Sequence, residues 1–83
     1  MNITLRYFAS VRETIGTGSE SVDTQATTVG ALRDELIARG GAHAEALARG
    51  KAVRLALNQN MADESAALTE CAEVGFFPPV TGG

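Results

Sequence analysis

Hydrophobic and polar positions alternate from the start of the chain. Ile3, Leu5 and Tyr7 interleave with Asn2, Thr4, Arg6 and Phe8, the period of two that predicts a strand over residues 2–9. Residues 10–15 read as a short helical or irregular connection, and Gly16-Thr17-Gly18 as a turn. A second strand is predicted over 20–24 around Val22, giving a hairpin with an enlarged loop. The period then changes. Thr27 or Thr28 offers a helix N-cap, and Val29, Leu32, Leu36 and Ile37 fall on one apolar stripe. Gly40-Gly41 ends that helix, because glycine takes the left-handed conformation without steric penalty. A short helical turn over 44–49, closed by Gly50, follows. Alternation returns with Val53, Leu55 and Leu57 against Arg54, Ala56 and Asn58, predicting a third strand. Asn58-Gln59-Asn60 is turn chemistry, and Met61-Ala62 opens a short fourth strand. The last strand, 73–77, stops at Pro78-Pro79, which lack the donors a sheet interior needs.

The order strand, strand, helix, strand, short strand, strand predicts an α+β fold in a β-grasp arrangement, with one main helix on one face of a mixed sheet. One helix covers only one face. If Ile3, Leu5 and Tyr7 face it, Phe8 points the other way; if Val74 and Phe76 face it, Phe77 points away with Gly75. Met61 is a candidate to join them. Each phenylalanine left in water forgoes roughly 1.5–3 kcal/mol of burial, so a persistent patch of this kind marks a binding site. The alternative is a bulge that tucks Phe8 into the core.

Length sharpens this picture. With 83 residues the chain forms one domain, 1–83, in which 78–83 is an extended C-terminal tail. So small a fold has a modest core and no room to enclose a large ligand. The single Cys71 excludes an internal disulfide, and no Cys/His cluster has metal-ligand spacing. No apolar run reaches the roughly 20 residues that span a bilayer, and the N-terminus lacks a secretory pattern; the expected location is the cytoplasm. The net charge of −3 argues against general nucleic-acid binding. All seven Lys and Arg residues lie at or before Arg54, whereas Asp63, Glu64, Glu70 and Glu73 follow it. That imbalance reads either as a solvated acidic face or as an acidic end that attracts a basic partner surface.

Other candidates for chemistry have plainer readings. Cys71 is a sulfur relay or, on the plainer reading, a small buried or half-buried residue. His43 reads as a surface side chain near a helix end. Arg12 and Glu13 pair, contact a partner enzyme, or lie on a solvated turn, and Asp34-Glu35 form a polar helix face. No Ser-His-Asp, Cys-His or paired-carboxylate constellation is present in the pattern, so no autonomous catalysis is expected.

The tail carries the strongest chemical signal. After Phe77 the sequence reads Pro78-Pro79-Val80-Thr81-Gly82-Gly83. The prolines stiffen its base. Val80 to Gly83 can reach on the order of 13 Å when extended, and the glycines, lacking Cβ, fit a channel too narrow for other residues. A carboxylate is a poor electrophile, so chemistry at Gly83 needs activation, most naturally as an acyl-adenylate made with ATP. Persulfide attack then gives a thiocarboxylate; thiol or amine attack gives a thioester or an isopeptide. The alternative is a frayed end without function.

The segment Phe76-Phe77-Pro78-Pro79-Val80-Thr81-Gly82-Gly83 resembles the C-terminal signature of the small subunit of molybdopterin synthase. Tyr7-Phe8-Ala9 with Val11-Arg12-Glu13, then Thr28-Val29-Gly30-Ala31-Leu32, then Leu57-Asn58-Gln59 extend the resemblance in the same order over nearly the whole chain. The resemblance implies a ubiquitin-like β-grasp fold and a sulfur-carrier role without bound cofactor. Gly83 would be adenylated by an activating enzyme that uses ATP and usually binds zinc, then converted to a thiocarboxylate by a sulfur-transfer protein. Gly82 and Thr81 would thread into the large synthase subunit, where sulfur passes to cyclic pyranopterin monophosphate. Two small and two large subunits would form a heterotetramer. Phe8, Met61 and Phe77 match its apolar partner contact, continued by Pro78, Pro79 and Val80; no nucleic acid or membrane is involved. Two departures stand out. The family commonly has Gly-Asp-Glu before the position of Val74, against Cys71-Ala72-Glu73 here, and Met61 replaces a branched aliphatic residue. Other readings are a carrier serving thiazole synthesis or tRNA thiolation, a protein modifier attached through Gly83 to lysines, and a purely structural interaction module. The Phe-Phe-Pro-Pro segment disfavours the thiazole branch.

Overall fold

The structure, a computed structural model, describes residues 1–79. Its first strand, β1 (Asn2–Tyr7), buries Ile3, Leu5 and Tyr7 on one side, as the alternation predicts. It ends before residue 9. Phe8 is still extended and its N–H donates to the Phe76 carbonyl at 3.1 Å, but Ala9 turns with φ 49° into α1 (Ala9–Ile15). The connection is therefore a helix, closed by Gly16 at φ 93°, whose N–H donates to the Arg12 carbonyl.

The return strand β2 (Ser19–Asp23) pairs antiparallel with β1, Leu5 opposite Glu20. Helix α2 (Val29–Ala38) begins at Thr28, whose hydroxyl accepts from the Ala31 N–H at 3.1 Å. Val29, Leu32 and Leu36 are buried, so the apolar stripe faces the sheet. Gly30 is required by packing: a Cβ there would lie 2.8 Å from Cβ of Glu64, and its N–H donates to the Glu64 carbonyl. Gly40, at φ 75°, reverses the chain at once. Helix α3 (Gly41–Leu47) consequently starts before residue 44 and leaves Arg49 outside it, anchored by buried Ala46 and Leu47.

Strand β3 (Arg54–Leu57) and β4 (Asn60–Ala62) form a hairpin across Asn58-Gln59, both with positive φ. Strand β5 (Glu73–Phe77) completes the sheet, parallel to β1 and antiparallel to β3. The order is β2-β1-β5-β3-β4. A parallel central pair needs a long crossover connection, and the intervening helices and the β3-β4 hairpin lie within it. This is an α+β, ubiquitin-like β-grasp fold. Tyr7 and Phe76 stack at 6.0 Å between centroids in the core, joined by Leu55, Val74, Leu68 and Val11.

One buried charge was not legible in the pattern. Arg33, 4% exposed, donates to the carbonyls of Leu47 (2.9 Å), Ala48 (3.0 Å) and Lys51 (3.2 Å), and to Glu64 (3.2 Å). It thus satisfies carbonyls that the end of α3 leaves without helical partners. Arg49 also binds Glu64, together with Asp34 at 2.9 Å. These contacts partly neutralise the acidic end within the chain, while Asp63 and Glu70 stay exposed. Glu64 is paired with two arginines, Glu73 lies 3.9 Å from Arg6, Glu70 accepts from the Asn2 N–H, and Asp63 accepts from Ser65.

Candidate functional site

The two outermost aromatic residues of the sheet sit where the alternation puts them. Tyr7 and Phe76 are inside; Phe8 and Phe77 emerge on the face away from the helices, their rings edge to face with centroids 6.3 Å apart. Phe8 is 43% exposed and Phe77 half-buried. No bulge tucks Phe8 into the core. Cross-strand register extends the patch from this pair. Arg6, Gly75, Ala56 and Met61 form one row across β1, β5, β3 and β4. Met61 is 61% exposed and marks its far end.

Gly75 makes the row shallow. A Cβ there would approach Cε2 of Phe8 to 3.3 Å and Cβ of Ala56 to 3.7 Å, so the missing side chain lets the Phe8 ring lie over the strand. The outcome is an apolar strip in which the Phe8 ring covers buried Gly75. Arginines flank it: Cζ of Arg6 sits 5.8 Å from the Phe8 ring centroid, within cation–π range, and Arg54 pairs across from Phe77. Sequence reasoning missed both arginines and Ala56, although Arg6 is two residues from Phe8 and Ala56 alternates with Leu55 and Leu57. The signal was present in the period-two pattern.

Past Phe77, the half-buried Pro78 lines a small cleft of about 100 Å³ with Ser10, Val11, Thr14, Lys51 and Val53. Half-buried Pro79 follows. The aromatic strip therefore runs directly into Pro78 and Pro79 at the base of the tail. The expectations for Val80, Thr81, Gly82 and Gly83 lie outside the described residues.

Beneath the strip, on the helix side, lies a polar cluster. The Tyr7 hydroxyl donates to Glu20 at 2.9 Å, and Arg39 and His43 reach the same carboxylate at 3.0 and 2.8 Å. The His43 ring meets Tyr7 edge on. His43 is thus a half-buried packing residue and not surface decoration. Burial first, then the adjacent Glu20 carboxylate, push the Tyr7 phenol far above its ordinary range. Burial alone would raise Glu20; hydrogen bonds from His43, Tyr7 and Arg39 outweigh it and hold the carboxyl below its ordinary value.

Cys71 corrects another expectation. It is exposed, because the neighbouring Ala72 takes the inward position. Its φ of 64° is the conformation that glycine adopts freely, and its N–H donates to the Asn2 carbonyl at 2.9 Å. Among the described residues no group of three or more His, Cys, Asp or Glu is arranged to hold a metal ion, and no helix is long and apolar enough to cross a membrane.

With an uncovered aromatic strip leading into a Gly-Gly end, comparison with known proteins is decisive. Residues 5–83 match the ThiS family. The chain belongs to that family. It is 43% identical to the molybdopterin synthase sulfur carrier subunit of Escherichia coli strain K12 over 98% of its own length and 99% of that protein. It is 38% identical to the subunit of the same name from Haemophilus influenzae over 93% of this chain and 94% of that one. Among solved structures, SAMP1 (small archaeal modifier protein 1) of Haloferax volcanii superposes with TM-score 0.78 at 27% identity, covering 100% of both chains. The Haloferax superposition agrees with the β-grasp topology of this ThiS-family chain.

Proposed function

We propose that this chain is the sulfur carrier of molybdopterin synthesis, with Gly83 as the atom-bearing terminus. The observation that carries the reading is continuity: the exposed Phe8–Phe77 strip passes straight into Pro78-Pro79 and, in sequence, into Gly82-Gly83. The names borne by the bacterial relatives support the same assignment.

In this reading a terminal oxygen of Gly83 attacks the α-phosphorus of ATP on an activating enzyme, and pyrophosphate leaves. A persulfide sulfur on a sulfur-transfer protein attacks the acyl carbon, and AMP leaves. A thiol cleaves the acyl disulfide, leaving a thiocarboxylate on Gly83 and a disulfide on the donor. The large subunit then receives the tail, Thr81 and Gly82 passing its channel while Phe8, Met61, Phe77, Pro78, Pro79 and Val80 dock outside it. The thiocarboxylate sulfur bonds to a carbon of cyclic pyranopterin monophosphate in place of an oxygen, and water cleaves the acyl–sulfur bond, leaving sulfur on the pterin and a carboxylate on Gly83. The chain itself needs only to fold, dock and present its end; two copies with two large subunits make the assembly.

Reconstitution with activating enzyme, ATP, a sulfur donor, the large subunit and precursor tests this. Deleting Gly83, or Gly82→Ala, abolishes molybdopterin formation while the melting curve stays unchanged. Undiminished product from either variant contradicts the reading. A second reading, attachment to lysines as a protein modifier, draws on the Haloferax neighbour's name. Conjugates that survive boiling with reducing agent favour it; their absence beside a sulfur-loaded terminus removes it.

A further inference from the structure

We infer that the strip around Phe8 and Phe77 is read by charge as well as by shape: Arg6 and Arg54 require carboxylates on the partner's docking surface. The inference rests on the large-subunit partnership proposed above and specifies the chemistry of that partner. Although the chain is acidic overall, at −3, the two charged side chains bordering the aromatic pair are both basic.

Arg6 lies over the Phe8 ring, 5.8 Å from its centroid, on the same face of β1. Arg54 stands directly opposite Phe77 across the β3–β5 ladder. A protein that covers the two rings must therefore cover part of at least one guanidinium. Removing an ion from water without a replacement partner is costly, so a complementary surface supplies acceptors at these places. Compensation within the chain is small. The nearest carboxylate to Arg6 is Glu73 at 3.9 Å, and the Arg6 side chain remains 44% exposed. Among the described residues no carboxylate forms an ion pair with Arg54.

The stacking contact also fixes the orientation of Arg6 before docking, which lowers the entropy lost on forming a carboxylate pair. Glu73 lies at the other end of the face, one cross-strand row beyond Gly75, and is itself held through its N–H to Asn58 Oδ1. The resulting pattern is directional. The two guanidiniums border the aromatic end, from which the tail departs, and the carboxylate nearest Arg6, that of Glu73 at 3.9 Å, comes from the row on the far side of Arg6 from the rings. A partner with carboxylates at the wrong end meets like charges, so the arrangement selects orientation as well as identity.

The test measures binding of the full-length chain to the large synthase subunit from the same organism, with association rates recorded from about 0.05 M to about 0.5 M salt. Wild type associates more slowly as salt rises. The R6Q/R54Q variant flattens that dependence, and R6E/R54E weakens binding about tenfold or more, while both melt near the wild-type temperature. Wild-type binding without salt dependence, together with unchanged binding by either variant, overturns the charge inference and leaves the sulfur-carrier reading intact. Absence of wild-type binding overturns the partnership itself and this inference with it.

Discussion

Tyr7 and Phe8 are neighbours in the chain, as are Phe76 and Phe77, and the sheet divides each couple between two different environments. Tyr7 and Phe76 stack inside, where Glu20, Arg39 and His43 enclose the Tyr7 hydroxyl. Phe8 and Phe77 meet edge to face outside, beside Arg6 and Arg54. The same residue type thus fills the core on one side and stays exposed on the other, where the proposed recognition would use it. What decides is the period of two along the strand together with the presence of helices on one face alone. A burial scale applied residue by residue would not separate them.

Substitutions on the two faces should therefore have opposite signatures. The largest effect is expected inside. Phe76→Ala costs about 3–5 kcal/mol of stability, much of what a small domain has, and denaturant unfolding reads it directly. Outside, Phe77→Ala or Phe8→Ala costs stability by less than about 1 kcal/mol but weakens large-subunit binding by about 2 kcal/mol or more, as central aromatic contacts do; calorimetric titration distinguishes the two. If Phe77→Ala unfolds the protein as readily as Phe76→Ala, the division between faces is wrong.

The polar cluster below Tyr7 gives a pH-dependent version of the same contrast. The folded-state value of Glu20 is below its ordinary 4.5, so the unfolded chain binds more protons through that interval. The stabilisation is fully present above pH 4.5 and is lost as pH falls below it towards the folded value. Glu20→Gln should flatten that part of the stability–pH curve in thermal melts and leave partner binding at neutral pH unchanged. The smallest effect concerns Gly75. A Cβ there would press on Phe8 at 3.3 Å, so Gly75→Ala should shift the Phe8 ring resonances and reduce affinity a few-fold without a comparable loss of stability, within about 0.5–1 kcal/mol.

Most of this was legible from the sequence because strands announce themselves locally. Ile3, Leu5 and Tyr7, then Leu55 and Leu57, then Val74 and Phe76 fix which side faces the helix, and the outward placement of Phe8 and Phe77 follows. Arg6 and Ala56 were equally legible by the same rule. Other features depend on distant contacts. Arg33 sits among charged helix residues, and only the carbonyls of Leu47, Ala48 and Lys51, 14 to 18 positions away, make it a core residue. His43 is held by Glu20 from another element, 23 positions distant. Helix α1 carries few apolar residues in its seven, with Val11 the buried one, too short a run for its period to declare itself. Cys71 is outward because Ala72 takes the inward position, and it holds a left-handed φ of 64° that its side-chain chemistry does not reveal. For the tail, sequence alone speaks: the Pro-Pro and Gly-Gly pairs argue reach and slenderness, and the chemistry at the end is a proposal for experiment.

Intact mass spectrometry of the chain after incubation with the activating enzyme, ATP and a sulfur donor addresses that proposal most directly. The account predicts a mass gain equal to sulfur replacing one oxygen, mapped by fragmentation to Gly83 and absent without ATP. An unchanged mass under conditions in which the same enzymes load a known carrier, or sulfur found on Cys71 and not on Gly83, would contradict it.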